Sequence, residues 1–248
     1  MSRAPPPLSS AACLFLDVDG TLVEITPTPF DTRVDEPLRE MLTALATRLG
    51  GALALVSGRS LAQLDALFAP LELPAAGLHG LERRNAAGVE RRVRGADPAL
   101  DPVRTRLARF VDAHPGTLLE DKGASIAVHF RLAPQFAAPA RAATRAELAL
   151  LGDGFCLQEG KCVLEIRPSG VSKAGAIEEF LREPPFLGRL PVFAGDDLTD
   201  EGALRAVESA GGIAIAVGCR IDGPYFLPDP AALRAWLRQF LSAPPSPV

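Results

Sequence analysis

The chain has 248 residues, with 26 basic and 30 acidic side chains, a formal net charge of −4 and 48% hydrophobic residues. This composition is typical of a folded protein of one or two domains, and it excludes disordered, collagen-like and coiled-coil chains. We expect no nucleic-acid partner, because the basic side chains are scattered apart from a short cluster of Arg83, Arg84, Arg91, Arg92 and Arg94. No apolar run reaches the ~18 residues that span a bilayer, so we expect no membrane partner and a cytoplasmic location.

Apolar runs and segments of helical periodicity alternate along the chain, which favours an α/β fold with a largely parallel sheet. The first predicted elements are a strand over 13–18, a helix over 35–49, a strand over 52–56, a helix over 60–68, a strand near 75–78 and a hairpin over 81–93. After an interruption, the pattern resumes with a helix over 172–181, a strand over 190–195, a helix over 199–208, a strand over 212–217 and a helix over 230–241.

The interruption has a different order of elements. It contains a predicted helix over 98–113, strands over 118–121 and 125–131, a helix over 134–150, and strands over 155–158 and 162–167. Two helix–hairpin units in succession indicate a small α+β module inserted into the parent fold. We therefore predict two domains, a parent domain over 1–96 and 170–248 and an inserted domain over 97–169.

The first predicted strand ends in two carboxylates, Asp17 and Asp19, which Gly20 follows. Ligands of open α/β sheets bind outside the carboxyl ends of the strands, so these acids lie where a site is expected. Residues i and i+2 of a strand point the same way, so the two carboxylates converge unless the chain turns between them. Such acids repel each other, which makes a divalent cation their natural partner. A calcium loop also begins Asp-x-Asp, but its further oxygen ligands and incoming helix are missing here.

Polar residues follow apolar runs at three further points of the parent domain. These points are Ser57-Gly58-Arg59 after the second strand, Ser172-Lys173 at a helix start, and Asp196-Asp197 with Asp200 after a later strand. Taken alone, each is also explained as a helix cap, a first-turn acid or a solvated lysine. Their joint occurrence at the ends of neighbouring parallel strands favours a site.

These segments resemble the four motifs of the haloacid dehalogenase (HAD) superfamily of phosphohydrolases. The resemblance implies an α/β fold with a Rossmann-like core, a parallel sheet and an inserted α+β cap of the C2 type. It implies that Asp17 is the nucleophile that forms an aspartyl-phosphate. Asp19 would protonate the leaving oxygen and then activate water, while Ser57 and Lys173 would hold the phosphoryl group.

The physical logic agrees with these roles. Splitting hydrolysis into two displacements lets one acid serve both halves of the reaction. Phosphoryl transfer depends mainly on positioning and charge neutralisation, so a compact site needs a metal and a second cation. The resemblance implies that the metal is Mg²⁺, with Lys173 as the second cation. Its ligands would be Asp17, the Asp19 backbone carbonyl and Asp196, with Asp200 in support.

The strands predicted for the inserted domain alternate between apolar and polar side chains, so one face of their sheet is polar. That face carries acids and bases: Glu120, Lys122, His129 and Glu165. A solvated face also explains any single strand. Four short strands with such side chains favour the recognition of hydroxyl groups, because a site built to bind hydroxyls discriminates strongly.

Longer stretches resemble one family of this superfamily, the trehalose-6-phosphate phosphatases. They cover 78–82, 119–123, 127–131, 165–168, 172–173 and 193–201, and so span most of the chain. The resemblance implies trehalose 6-phosphate as the substrate and trehalose biosynthesis as the role, with Glu120, Lys122 and Glu165 binding hydroxyls of the distal glucose. Residues between core and cap would line the passage for the substrate: Gly58, Arg59, His79 and Gly80. His129 is either a ligand or a histidine packed at the seam.

Two other functions stay open. A phosphatase for another sugar phosphate, such as sucrose 6-phosphate or a mannosyl- or glucosyl-3-phosphoglycerate, or a hexose-phosphate mutase, keeps the chemistry and changes the sugar. A non-catalytic sugar-phosphate-binding protein with a relic site is the third hypothesis, although all the chemical residues are present. For the enzyme we expect a small-molecule substrate and a monomer.

Overall fold

The structure, a computed structural model, describes residues 3–92 and 97–244. The chain splits into two compact units, Met1–Arg91 with Ser172–Val248, called here the parent unit, and Arg92–Val171, called the inserted unit. Three predicted features lie outside the described residues: the domain boundary at residue 96, Arg94 of the arginine cluster, and the end of the hairpin at Val93.

The described residues form strands, singly or in short runs, that are separated along the chain by helices. The strands are β1 (Ala12–Leu16), β2 (Leu53–Val56), β3 (Ala75–Gly77), β4 (Glu82–Arg84), β5 (Glu90–Arg92), β6 (Leu118–Asp121), β7 (Ile126–His129), β8 (Phe155–Gly160), β9 (Val163–Pro168), β10 (Leu190–Gly195), β11 (Ile213–Val217) and β12 (Tyr225–Leu227). The helices are α1 (Glu36–Arg48), α2 (Leu61–Phe68), α3 (Asp101–Ala113), α4 (Ala137–Leu151), α5 (Lys173–Phe180), α6 (Glu201–Ser209) and α7 (Pro230–Ser242).

The parent unit is built on an eight-stranded sheet in the order β12-β11-β10-β1-β2-β3-β4-β5. Neighbouring strands from β12 to β3 run parallel, and β4 is antiparallel to β3. The core strands are apolar throughout, which is typical of parallel strands that are covered on both faces. The predicted α/β fold with a largely parallel sheet is confirmed. The edge strand β12 was not predicted, because its three residues carry too short a pattern.

Local sequence signals explain where the first helices begin. The Asp35 side chain accepts a hydrogen bond from the Leu38 N–H at 3.1 Å and so caps α1. Ser60 and Gln63 form a capping box that starts α2. On α1, buried Leu38, Met41, Leu42 and Leu45 recur at helical spacing and pack in the parent core.

The inserted unit is a four-stranded antiparallel sheet in the order β6-β7-β9-β8 with α3 and α4. One face of the sheet packs with these helices in a separate apolar core, whose members include Leu107, Ala140, Ile126, Val128, Leu164 and Ile166. The predicted alternation is therefore present, and the polar side chains occupy the opposite face. Both predicted helix–hairpin units are present in the order expected.

Candidate active site

Strand register places the predicted site residues side by side in the parent unit. Leu16, the last residue of β1, pairs with Ala194 of β10 and with Leu55 of β2. The Asp17 N–H extends this pairing by donating to the Ala194 carbonyl at 3.0 Å. The residues that follow these three strands, among them Asp17, Ser57 and Asp196, therefore leave the sheet at one edge.

The chain turns directly after Asp17. β1 ends at Leu16, two residues earlier than predicted, and the Val18 carbonyl accepts hydrogen bonds from the N–H groups of Thr21, Leu22 and Val23. The strand alternation therefore does not extend to Asp19, and the turn that the sequence left open is present. As a result, Asp17 and Asp19 have different partners.

Lys173 joins two buried carboxylates of the parent unit. Its Nζ donates to Asp17 Oδ1 and to Asp200 Oδ1, both at 2.7 Å. The other oxygen of Asp200 accepts the N–H groups of Asp196 and Asp197 at 3.1 Å. Asp200 therefore fixes both the lysine and the loop that carries Asp196. Because Lys173 is 4% exposed, it is not the solvated helix residue that the sequence left as an alternative.

Three buried carboxylates form a group that suits a hard divalent cation. Asp17, Asp196 and Asp200 each offer an oxygen within 4.8 Å of the others. The Thr21 hydroxyl donates to Asp17 Oδ2 at 3.2 Å and so orients that carboxylate. A Cβ on Gly20 would lie 2.2 Å from Asp196 Oδ2, so this close approach requires glycine.

The electrostatics of this group favour an added positive charge. Burial raises the pKa of Asp17 well above its ordinary value, and the carboxylates of Asp200 and Asp196 raise it further against the opposing effect of Lys173. Burial, with Asp200 and Asp197, raises the pKa of Asp196 to about 7. Burial acts to lower the pKa of Lys173, but Asp17 and Asp200 outweigh it and raise that pKa. When all three are ionised, the carboxylates carry more negative charge than Lys173 balances, so an added cation favours their ionised forms.

Asp19 is held by a different set of donors. Arg59 Nε donates to Asp19 Oδ2 and Arg59 Nη2 donates to Asp19 Oδ1, both at 2.7 Å. The Thr32 hydroxyl lies 3.2 Å from Asp19 Oδ1. The Asp19 side chain remains 35% exposed. The carboxylate is therefore oriented by Arg59 and still accessible.

Ser57 directly follows β2, and Gly58 and Arg59 come next in the same predicted segment. Its N–H donates to the Ala76 carbonyl at 2.9 Å, and its hydroxyl accepts the Arg59 N–H at 3.2 Å. Ser60, rather than Ser57, caps α2, so the helix-cap explanation of Ser57 is wrong.

Gly58, His79 and Gly80 lie beside Ser57. The His79 N–H donates to the Ser57 carbonyl at 2.9 Å. A Cβ on Gly58 would lie 2.8 Å from His79 Nε2, so the imidazole packs where a side chain would otherwise be. His79 has a left-handed backbone with φ 57°, which is uncommon outside glycine, and Gly80 follows with φ 106°. The segment is held in a specific conformation against Ser57.

The structure also shows which residue of the segment 196–200 acts as a helix cap. Asp197 begins the short 3₁₀ turn Leu198–Asp200, and its side chain accepts the Leu198 N–H at 2.7 Å. Arg220 pairs with the same carboxylate. Asp197 therefore supports the loop that carries Asp196.

The polar residues predicted in the inserted unit form one cluster on its sheet. Glu120 and Glu165 both pair in register with Ala127, on its two sides. Lys122 Nζ lies 3.2 Å from Glu165 Oε2, and His129 Nε2 lies 2.9 Å from Glu120 Oε2. His129 is thus part of the cluster through its ring. We call Glu120, Lys122, His129 and Glu165 the inserted-unit cluster.

Three hydroxyl residues contact these groups and were missed by the sequence analysis. Thr21 touches Asp17, Thr32 touches Asp19, and the Ser125 hydroxyl donates to Glu165 Oε1 at 2.6 Å. Thr21 directly follows Gly20 in the first motif, so its position was a usable signal. Thr32 and Ser125 carry no such signal, because their partners lie 13 and 40 residues away in sequence.

Comparison with known proteins decides the family. A sequence model described as trehalose-phosphatase matches residues 15–230. A trehalose-6-phosphate phosphatase from Escherichia coli (strain K12) is 43% identical over 213 residues, which are 86% of this chain and 80% of that protein. This chain belongs to the trehalose-phosphatase family. It is a phosphatase, a hydrolase of phosphoric monoesters.

Solved structures agree with this family. A crystal structure of a trehalose-6-phosphate phosphatase related protein is 26% identical with a TM-score of 0.78, over 93% of this chain and 97% of that one. A phosphatase of the haloalkanoate (HAD) superfamily from Bacteroides thetaiotaomicron is 19% identical with a TM-score of 0.57, over 95% of this chain and 97% of that one. At this identity the second match shows the fold alone. The trehalose-phosphatase fold of this chain is thus the HAD fold with an inserted cap, as predicted.

Among residues 3–92 and 97–244, no helix combines the length and the apolar character that crossing a bilayer requires.

Proposed function

We propose that this trehalose-phosphatase family member hydrolyses trehalose 6-phosphate to trehalose and phosphate through an aspartyl-phosphate on Asp17, as a step of trehalose biosynthesis. The substrate is supported by the E. coli relative, which is a trehalose-6-phosphate phosphatase. The observation that carries the chemistry is the buried group of Asp17, Lys173, Asp196 and Asp200 at the edge of a parallel sheet.

In the first step, a carboxylate oxygen of Asp17 attacks the phosphorus, and the bond between phosphorus and the sugar oxygen breaks. Lys173 and Thr21 fix the two oxygens of Asp17 at 2.7 and 3.2 Å, so the carboxylate is oriented before substrate arrives. Asp19, the proposed acid, gives a proton to the departing sugar oxygen. Trehalose then leaves.

In the second step, water attacks the phosphorus of the aspartyl-phosphate. The Asp19 carboxylate, which lost its proton in the first step, takes a proton from this water. The bond between phosphorus and the Asp17 oxygen breaks, which releases phosphate and restores both carboxyl groups. Ser57 and Lys173 bind the non-reacting phosphoryl oxygens, because a donor and a cation at that position neutralise the charge that phosphoryl transfer spreads over them.

The residues present fit Mg²⁺ as the cofactor, since the donor set is all oxygen and the raised pKa values of Asp17 and Asp196 mean that added positive charge favours their ionised forms. We propose Asp17, the backbone carbonyl of Asp19 and Asp196 as its ligands, with Asp200 in support. When bound, the ion neutralises phosphate charge and helps to orient the ester. Both oxygens of Asp200 already serve Lys173 and two backbone N–H groups, which supports the role of a brace for this residue.

We propose the inserted unit as the specificity domain. Each acid of the inserted-unit cluster has a basic neighbour, so the cluster offers donors and acceptors with a small net charge, which suits neutral hydroxyls. Glu120, Lys122 and Glu165 would bind hydroxyls of the distal glucose, with His129 as a further ligand. In the parent unit, Gly58, Arg59, His79 and Gly80 would line the path of the substrate.

The experiment that tests this function is phosphate release from trehalose 6-phosphate, glucose 6-phosphate and sucrose 6-phosphate, each with Mg²⁺ and with EDTA. We expect release mainly from the trehalose ester, and only with Mg²⁺. Release from a different ester, or equally from all three, would keep the chemistry and overturn the substrate. Release that EDTA does not affect would overturn the cofactor, and binding without release would make the chain a regulatory protein.

A further inference from the structure

The segment 24–34, which links the first motif to α1, contacts the Arg59–Asp19 pair. We call it the 24–34 loop. Its residue Thr32 is 3% exposed, and its hydroxyl lies 2.8 Å from Arg59 Nη2 and 3.2 Å from Asp19 Oδ1. The same Nη2 also donates to the Pro29 carbonyl at 3.0 Å. The loop therefore holds the guanidinium that in turn holds Asp19.

The donor and acceptor roles follow from the groups involved. A guanidinium has no acceptor, so Arg59 donates to the Thr32 hydroxyl. Thr32 then has its own single proton to give, with Asp19 and the Thr26 hydroxyl, 3.0 Å away, as acceptors. A carboxylate is the stronger acceptor because it carries charge, and Thr26 already reaches the Thr28 carbonyl at 2.7 Å. Thr32 thus accepts from Arg59 and donates to Asp19.

We propose that Thr32 is a positioning residue, which acts through Asp19 and Arg59 to hold the Asp19 carboxyl in the orientation for proton transfer to the leaving sugar oxygen. This inference rests on the proposed function, in which Asp19 is the proton donor. Removal of the hydroxyl leaves the Arg59–Asp19 pair and the Pro29 contact in place but takes away the hydrogen bonds of Thr32 to the guanidinium and to the carboxyl. The carboxyl then samples orientations that do not reach the leaving oxygen.

The chemistry of the leaving group distinguishes a positioning role of Thr32 from a purely structural one, because the two roles predict different effects on two substrates. A sugar alkoxide is a poor leaving group and needs a proton in the transition state, whereas p-nitrophenolate leaves without one. In this two-step mechanism, kcat/KM reports the steps up to formation of the aspartyl-phosphate. A misoriented Asp19 therefore lowers kcat/KM for the sugar ester and spares kcat/KM for the aryl ester.

The experiment compares Thr32→Val with Thr32→Ser and Asp19→Asn on trehalose 6-phosphate and on p-nitrophenyl phosphate, both at saturating Mg²⁺. We expect Thr32→Val to lower kcat/KM for the sugar ester by about tenfold, the effect of one hydrogen bond to a charged group, and to change the aryl ester less than about twofold. Thr32→Ser keeps the hydroxyl and restores the sugar ester. Melting curves of each variant show whether it is folded.

A matched control comes from the same loop. The Thr28 hydroxyl donates to Asp31 Oδ2 at 2.7 Å, so Thr28→Val removes an equivalent hydroxyl away from Asp19, and we expect no change on either ester. Equal losses on both esters for Thr32→Val, or no loss on the sugar ester, would overturn the inference. If Asp19→Asn itself fails to discriminate between the esters, the proposed proton donor is wrong; if only Thr32→Val fails to discriminate, Thr32 alone is wrong.

Discussion

The parent unit and the inserted unit each contain a cluster of acids and bases, and the clusters differ in how their charges are balanced. In the parent unit, three carboxylates lie within 4.8 Å of one another, Lys173 donates to two of them, and the pKa values of Asp17 and Asp196 are raised. In the inserted unit, Glu120 and Glu165 lie on either side of Ala127, with His129 and Lys122 as their respective neighbours. The parent-unit carboxylates can therefore accept a further positive charge, whereas the inserted-unit cluster offers hydrogen-bond donors and acceptors in pairs.

This difference explains how one chain separates chemistry from recognition. A group of carboxylates with too few basic neighbours binds a cation, and the positive charge of that cation attracts the negatively charged phosphoryl group. A balanced group binds neutral hydroxyls without a large electrostatic cost. We therefore expect changes in the parent cluster to affect every phosphate ester, and changes in the inserted-unit cluster to affect only the sugar substrate.

The largest effect is expected for Asp17→Asn. An amide cannot attack phosphorus as a carboxylate does, so turnover of both trehalose 6-phosphate and p-nitrophenyl phosphate should fall by at least ~10³-fold. Steady-state phosphate release measures this loss. The control Asp31→Asn changes an exposed carboxylate of the 24–34 loop and should keep full activity. An Asp17→Asn variant that retains aryl phosphatase activity would remove the nucleophile from the proposed mechanism.

A smaller and selective effect is expected for Glu165→Gln. The change removes the charge beside Lys122 and should lower kcat/KM for trehalose 6-phosphate roughly 10- to 100-fold, with p-nitrophenyl phosphate unaffected. Glu159→Gln is a matched control, because Glu159 lies on the adjacent strand, in register with Leu164, and its side chain pairs with Arg141 and Arg145 of α4. Equal losses on both esters would contradict the role of the inserted-unit cluster in recognition.

Ser125→Ala should have a weaker effect of the same kind. The Ser125 hydroxyl donates to Glu165 Oε1 at 2.6 Å, and its loss leaves Glu165 less well oriented. We expect kcat/KM for the sugar ester to fall by about 3- to 10-fold, through KM rather than kcat, because Ser125 acts on the sugar only through Glu165. A change in kcat for p-nitrophenyl phosphate would show that Ser125 serves the fold rather than the sugar.

The smallest effect concerns stability and pH. Because the pKa of Asp196 is raised to about 7, the folded metal-free protein binds more protons than the unfolded chain between the unfolded value and that pKa. The contribution of Asp196 to the free energy of unfolding is therefore present at low pH and is lost as the pH rises through about 7. Mg²⁺ replaces the proton, so it should raise the melting temperature about 2–4 °C more at about pH 8 than at about pH 5.5. A larger Mg²⁺ shift at the acidic pH, measured by thermal unfolding, would contradict the proposed ligands.

The sequence predicted much of this fold, because apolar periodicity and turn residues are local signals. Strand β10 (Leu190–Gly195) was predicted with the bounds that the structure gives it, and α1 differs by a single residue at each end. The turn after Asp17 was left open, since backbone hydrogen bonds to the Val18 carbonyl form only in the folded loop. The short strand β12 (Tyr225–Leu227) was missed because its three residues give no periodic pattern, and its pairing with β11 forms only in the folded chain.

The site was predicted as a set of residues but not as a set of contacts. Asp17, Lys173 and Asp196 were identified by motif, and the structure brings them together. The bidentate Arg59–Asp19 pair and the Thr32 contact link residues 40 and 13 positions apart, and no sequence period reports such distances. Hydroxyl residues that orient a carboxylate therefore require the structure.

The central claim is that Asp17 carries the phosphoryl group during turnover. The most direct measurement is an acid quench of the enzyme during hydrolysis of trehalose 6-phosphate with Mg²⁺, followed by digestion and mass spectrometry of the peptide that contains Asp17. We expect one phosphoryl group on Asp17, absent without substrate and absent in Asp17→Asn. Phosphate release at full rate with this peptide unmodified, or with the label on another residue, would contradict the account.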